Sequence, residues 1–183
     1  MAKKYLTAGL TKLVTARPII IITTLHQTGI VNAGTFGAYT NLSPTEIGIA
    51  IGRPSHTYQN IKRTGELVIN VVTRSLAKAA EICGEEIPPS ESELEKAGLS
   101  VEPASLVKVP LIRECVANIE CRWEKEMVIG YHSLVVARCL AGWIEKDFLS
   151  ENGNLDVVKA GAIFNIGYPR PLYAVLANPF LVE

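Results

Sequence analysis

The stretch 18–36, PIIIITTLHQTGIVNAGTF, decides the fold. Side chains branched at Cβ suit the pleated surface of a strand, so Ile19-Ile20-Ile21-Ile22-Thr23-Thr24 reads as a buried strand opened by Pro18. His26-Gln27-Thr28-Gly29 supplies a turn, and Ile30-Val31-Asn32-Ala33 starts a second strand. The pair predicts a β-hairpin.

Downstream, Asn41-Leu42-Ser43-Pro44 carries a loop signal. From Glu46 to Gly52, Ile47, Ile49 and Ile51 alternate with smaller residues, the period of two of a half-buried strand. Pro54-Ser55 opens a helix that reaches Thr64, with Gly65 in the usual closing position. Leu67–Val72 is a further strand, and Ser75–Cys83 a helix closed by Gly84. Ser90-x-x-Glu93 is a capping-box pattern for a short helix ending at Gly98. Val116–Glu124 and Leu134–Ile144 read as long strands. Lys3–Val14 is a short helix or an extended arm, and the tail from Ala160 is loop or strand. Many short strands with turn signals predict a mainly β chain, as a barrel or a sandwich. A doubly wound sheet is disfavoured because strand–helix–strand alternation is not sustained.

Composition sets the outer limits. The length of 183 residues fits one domain over residues 1–183, and 48 % hydrophobic against 20 % charged residues excludes a disordered chain. Eighteen basic and eighteen acidic residues balance, which removes the general footprint of a nucleic-acid binder. The same neutrality favours a buried interface between copies. The longest uncharged segment, Pro18–Thr45, is too polar to span a membrane. No apolar stretch precedes Lys12 after Lys3 and Lys4, so no secretory signal is read and a cytoplasmic location with reduced thiols is expected. Cys83, Cys115, Cys121 and Cys139 match no zinc spacing, and the three histidines are scattered, so no metal site is expected. Cys121 and Cys139 read as small hydrophobes in strands. Cys83, near a helix end, is the one cysteine left open as reactive.

No dinucleotide, P-loop, zinc-protease or serine-hydrolase motif is present. Two local signals remain. Asn32-Ala33-Gly34-Thr35-Phe36-Gly37-Ala38 leaves main-chain groups open to close approach by a flat ligand, or is an ordinary edge strand. Arg53-Pro54-Ser55-His56-Thr57 lies at a helix start, where unpaired N–H groups and the helix dipole favour an anion. Arg53 is a planar cation suited to phosphate. The alternative is a Ser55 cap beside a solvated arginine. Together, a ring strip and a phosphate loop joined by one strand describe FMN.

The same residues carry a resemblance. Pro18 with the isoleucine strand, Thr24–Gly29, Asn32-Ala33-x-x-Phe36, Arg53-x-Ser55-His56-Thr57-x-x-Asn60-Ile61 and Thr64-Gly65-Glu66-Leu67-Val68-Ile69-Asn70-Val71 are similar to the flavin reductase-like, FMN-binding split-barrel family, in its flavoredoxin branch. Glu95-Lys96-Ala97-Gly98-Leu99 and His132 extend the likeness, which covers about residues 15–170. The resemblance implies a six-stranded antiparallel split barrel of Greek-key topology, a homodimer, and FMN near the interface. It implies that Asn32 and the Thr35–Ala38 backbone face the isoalloxazine ring and that Arg53, Ser55, His56 and Thr57 hold the phosphate. Lys96, His132 and Tyr168 fall on positions that approach the flavin in similar proteins. No tryptophan follows Asn32 on the strip, unlike in one branch of the family.

The expected activity is an FMN-dependent oxidoreductase that takes hydride from NADH or NADPH and passes electrons to free flavin, a redox protein or another small acceptor. No residue is assigned as a general acid or base. An electron carrier without a nicotinamide site and a flavin-free ligand-binding barrel are the alternatives.

Overall fold

An isoleucine run buried on both faces requires a strand covered on both sides, and residues 20–25 occupy such a place. The computed structural model describes residues 3–14, 16–167, 171–180 and 182. After a 3-10 turn at Leu10–Leu13 the chain forms β1 (Arg17–Pro18), β2 (Ile20–Leu25), β3 (Val31–Phe36), β4 (Tyr39–Ser43) and β5 (Glu46–Gly52). Helix α1 (His56–Thr64), β6 (Glu66–Val71), α2 (Ala77–Cys83) and α3 (Glu93–Ala97) follow. The rest comprises β7 (Val101–Glu102), β8 (Leu111–Ile112), β9 (Ala117–Ile129), β10 (His132–Ile144), β11 (Ile163–Gly167) and β12 (Leu172–Val175).

Seven strands pair antiparallel in the order β3-β2-β6-β9-β10-β5-β4. The hairpin β9–β10 lies between β5 and β6, so the chain crosses over it through α1, in Greek-key fashion. The two end strands, β3 and β4, are separated in sequence only by Gly37-Ala38, and Ala50 N–H reaches back to Ala38 C=O at 2.8 Å. So short a link draws the ends of the sheet together and curls it into a split barrel. The seventh strand is β4, where the sequence predicts a loop at Asn41-Leu42-Ser43-Pro44. The turn is confined to Pro44-Thr45, because an outermost strand exposed along its middle tolerates polar residues.

Strand periodicity sorts the isoleucines. Ile20 and Ile22 enter the barrel core with Ile49, Ile51, Leu67 and Val135. Ile19 and Ile21 pack outside it against Ala80, Cys83, Leu94 and Ile112, under α2 and α3. Two buried polar side chains knit the outer layer to the sheet. Asn70 Nδ2 donates to Ile21 O at 3.0 Å, while its Oδ1 accepts from Ile112 N and Asn118 Nδ2 at 3.0 and 2.8 Å. Glu120, with 0 % exposure, accepts from Ser105 N, Leu106 N, Val107 N and Trp143 Nε1 at 2.6–3.2 Å.

Local signals set the helix ends. Ser55 Oγ accepts from Tyr58 N at 3.2 Å and caps α1, and Gly65 closes it at φ 70°, as the sequence predicts. In α3 the cap is Ser92, whose Oγ accepts from Glu95 N at 3.4 Å, and not Ser90. Ser90 lies inside a turn that Glu91 N–H closes onto Pro88 O. Strands β9 and β10 run beyond the predicted Val116–Glu124 and Leu134–Ile144 to a two-residue turn at Gly130-Tyr131. There Met127, Val128, Ile129 and Tyr131 are all exposed.

Candidate functional site

Strand β3 ends the sheet, so only one of its edges is paired. Ala33 N–H points away from β2 and donates to Glu93 Oε2 at 3.1 Å. Main-chain groups of alternate residues in a paired strand turn the same way. The N–H and C=O of Thr35 therefore also face the free edge. A cavity of about 330 Å³ lies along that edge. Asn32–Phe36 form one wall, Pro54–Thr57 a second, and Cys83–Ile87 with Glu93 a third.

The approach of β3 to α1 depends on Gly34. A Cβ there would lie 2.7 Å from Thr57 Oγ1 and 2.9 Å from Phe36 Cε2. At the start of α1, Tyr58 N–H goes to Ser55 Oγ and Gln59 N–H to Ser55 O. The N–H groups of His56 and Thr57, both on the cavity wall, precede the first main-chain bond of the helix. Thr57 Oγ1 accepts from Asn32 Nδ2 at 3.0 Å, which leaves its hydroxyl proton free to donate.

Behind the wall runs a buried polar chain. Thr24 Oγ1 accepts from both Asn32 Nδ2 and Asn60 Nδ2 at 3.1 Å, and Asn60 Nδ2 also faces His26 Nδ1 at 3.3 Å. His26 meets His56 edge-on, with ring centroids 5.1 Å apart. With Nδ1 accepting, the ring proton sits on Nε2, which is buried without a partner among the described residues. Burial first, then the fields of His56 and Arg63, hold the His26 pKa below its ordinary value. The unfolded chain, with a histidine pKa of about 6.5, thus binds this proton more readily than the folded one. Stability should fall as pH drops below about 6.5 and through the lower folded pKa. In His26→Gln the acid side of a plot of melting temperature against pH should be shallower. An unchanged slope would place the linkage elsewhere.

The residues singled out in the sequence divide into two groups. Asn32, Ala33, Gly34, Thr35, Phe36, Ser55, His56 and Thr57 converge on the cavity. The Asn32 amide is engaged by Thr24 and Thr57, so it orients the wall. Gly37 and Ala38 line an adjoining depression with Arg17, Asn165 and Tyr173. Arg53 is exposed and lies with Tyr58, Gln59 and Tyr131 outside the cavity. Lys96 is exposed on α3 and pairs with Glu91 at 2.5 Å. His132 is exposed at the first position of β10, opposite Gly52. Tyr168 lies outside the described residues.

The third wall was not foreseen from the sequence. Glu93, 3 % exposed, comes from the start of α3, and burial pushes its carboxyl above the usual range against bonds from main-chain N–H groups and the fields of His56 and Lys96. Cys83 is buried on the same wall, where desolvation, with a smaller effect of Glu93, pushes its thiol up to about 12. That corrects the open reading of Cys83 as reactive, since a protonated thiol is a poor nucleophile. Among the described residues no cluster of three or more His, Cys, Asp or Glu could hold a metal ion, and no helix is long and apolar enough to cross a membrane.

Known structures share this architecture. Nitrilotriacetate monooxygenase component B from Bacillus cereus superposes with a TM-score of 0.89 at 22 % identity, covering 100 % of both chains. Flavoredoxin of Desulfovibrio vulgaris (Miyazaki F) gives 0.85 at 18 % identity, covering 100 % of this chain and 97 % of that one. An uncharacterized protein of Halalkalibacterium halodurans is 38 % identical over 121 residues, which is 62 % of this chain and 58 % of that relative's length. The sequence profile of the flavin reductase like domain matches residues 13–162, so the chain is a member of the flavin reductase-like family of split-barrel proteins, which has flavoredoxins among its structural neighbours.

Proposed function

We propose that the chain binds FMN in the cavity beside β3 and acts as an oxidoreductase that takes hydride from NADH or NADPH. The observation that carries this reading is the meeting of a free strand edge and a helix N-terminus in one cavity. The residues present fit the cofactor. The free edge at Thr35 offers a donor and an acceptor to a flat heterocycle. The N–H groups of His56 and Thr57, with the Thr57 hydroxyl, offer donors to a phosphate. When bound, FMN supplies a centre that accepts two electrons with hydride and can release them singly. The protein's part is to bind and orient. Asn32 fixes the Thr57 hydroxyl, Gly34 lets α1 approach the strand, and the hydrophobic layer under α2 keeps the third wall in place.

The acceptor in this reading is free flavin or a redox protein. The working unit is a homodimer, to which the exposed apolar tip of β9–β10 and the zero net charge lend support. The carboxylates of Glu85 and Glu86, exposed on the cavity wall, favour a second reading. They repel an anionic nicotinamide nucleotide, as suits an electron carrier reduced by another protein.

The purified protein should show a flavin absorption spectrum, with FMN identified by mass near one per chain. A colourless protein that also takes up no added FMN would sink both readings and leave a flavin-free ligand site. Anaerobic NADH or NADPH then separates them: bleaching of the bound flavin supports the reductase, and its persistence supports the carrier.

A further inference from the structure

Resting on the FMN reading, we infer that Glu93 accepts a hydrogen bond from the imide N–H of the flavin ring and so selects the ring and sets its orientation. The oxidised isoalloxazine presents on one edge an N–H donor flanked by two carbonyl acceptors. A site for that edge needs one buried acceptor with donors beside it. Glu93 is the buried acceptor on the cavity wall, and its carboxylate has about four acceptor positions. Ala33 N–H takes one at 3.1 Å, which leaves acceptor capacity for a ligand.

The neighbouring donor is Thr35 N–H, two residues along the same free edge, matched to a flanking carbonyl. No cation lies within ion-pair distance of Glu93 among the described residues; Lys96, on the same helix, is engaged with Glu91. A desolvated carboxylate with an unfilled acceptor position gains most from an incoming N–H, because such charge-assisted bonds are about twice as strong as neutral ones. By holding Ala33 N–H, Glu93 also replaces a main-chain donor with an acceptor. The edge thus reads donor at Thr35 and acceptor at Glu93, complementary to a carbonyl beside an imide.

Glu93→Gln separates these roles. The amide oxygen keeps the bond from Ala33 N–H, and the amide NH₂ then faces the imide N–H, donor against donor. FMN should bind about tenfold more weakly, while the melting temperature of the ligand-free protein stays close to that of the parent. The midpoint potential of bound flavin should rise, because a carboxylate that disfavours the reduced anion is gone. A second probe needs no variant. FMN methylated at N3 lacks the imide proton, and the parent protein should bind it at least about tenfold more weakly than FMN, while Glu93→Gln should hardly distinguish the two. A parent that binds FMN and its N3-methyl analogue equally, or a variant that discriminates as the parent does, overturns the role of Glu93 and leaves the FMN reading standing. A parent that binds neither flavin overturns both.

Discussion

Replacing Gly34 by alanine should weaken FMN binding by about a hundredfold. The new Cβ would sit 2.7 Å from Thr57 Oγ1 and 2.9 Å from Phe36 Cε2. Phe36 is half-buried and can swing aside, but Thr57 is buried and tied to Asn32. The helix start must then move off the strand. Overpacking of this kind costs about 1–3 kcal/mol, read as a lower urea midpoint. Because that movement separates the ring edge from the helix N–H groups, affinity should fall by about a hundredfold, consistent with a strain of that size appearing in binding. Flavin fluorescence titration checks it. A Gly34→Ala variant that binds FMN as the parent does would show that the cavity beside β3 is not the site.

The second large effect is expected at Glu120, which is not part of the cavity lining. Glu120→Ala removes the common acceptor of three consecutive main-chain N–H groups and the Trp143 indole. Each buried donor left unpaired costs about 1–3 kcal/mol; with water reaching the loop at 105–107, a net loss of about 4 kcal/mol is expected. Burial by itself would raise the pKa of this carboxyl, and the four donors outweigh it and hold the value below the ordinary one. A depressed folded pKa contributes stability that is present above the unfolded pKa of about 4.3 and lost as pH falls through the folded value. Glu120→Gln should therefore be less stable than the parent at pH 7, with the gap closing below about pH 4. Denaturant melts at the two pH values test this. A gap that persists at acid pH would mean that shape matters there and charge does not.

What the sequence makes legible is what neighbouring residues settle between themselves. The β-branched run at 19–24 and the Ser55 and Gly65 caps are local patterns, and each appears where it was expected. The convergence of Asn32–Phe36 with Ser55–Thr57 also follows, since only β4 and β5 intervene. Glu93 meets Ala33 across 60 residues, and no local pattern announces that contact. Its sequence context, the first turn of a short helix, looks like any solvated cap. Lys96 and Arg53 illustrate the converse. Charge suggests Arg53 for a phosphate and the resemblance sets Lys96 near the flavin, but the direction a helix or loop gives a side chain is not written locally; Lys96 pairs with Glu91, and Arg53 lies beside Tyr58, Gln59 and Tyr131. Strand β4 was hidden because edge pairing needs main-chain groups and tolerates polar side chains.

The long β9–β10 hairpin bears on the order in which the molecule assembles. Its strands are joined by two residues, with Gly130 at φ 57° taking the turn, so its pairing closes a minimal loop. The contacts of β6 with β2 and β9 span tens of residues, and such non-local pairings form slowly. Zipping should start at Gly130 and proceed toward the barrel ends. The cavity, which needs β3, the start of α1 and α3 together, can be complete only when the last of these has docked. A ligand that recognises it would reach the chain after the folding barrier has been crossed, and its binding would appear as slower unfolding with little change in the rate of folding.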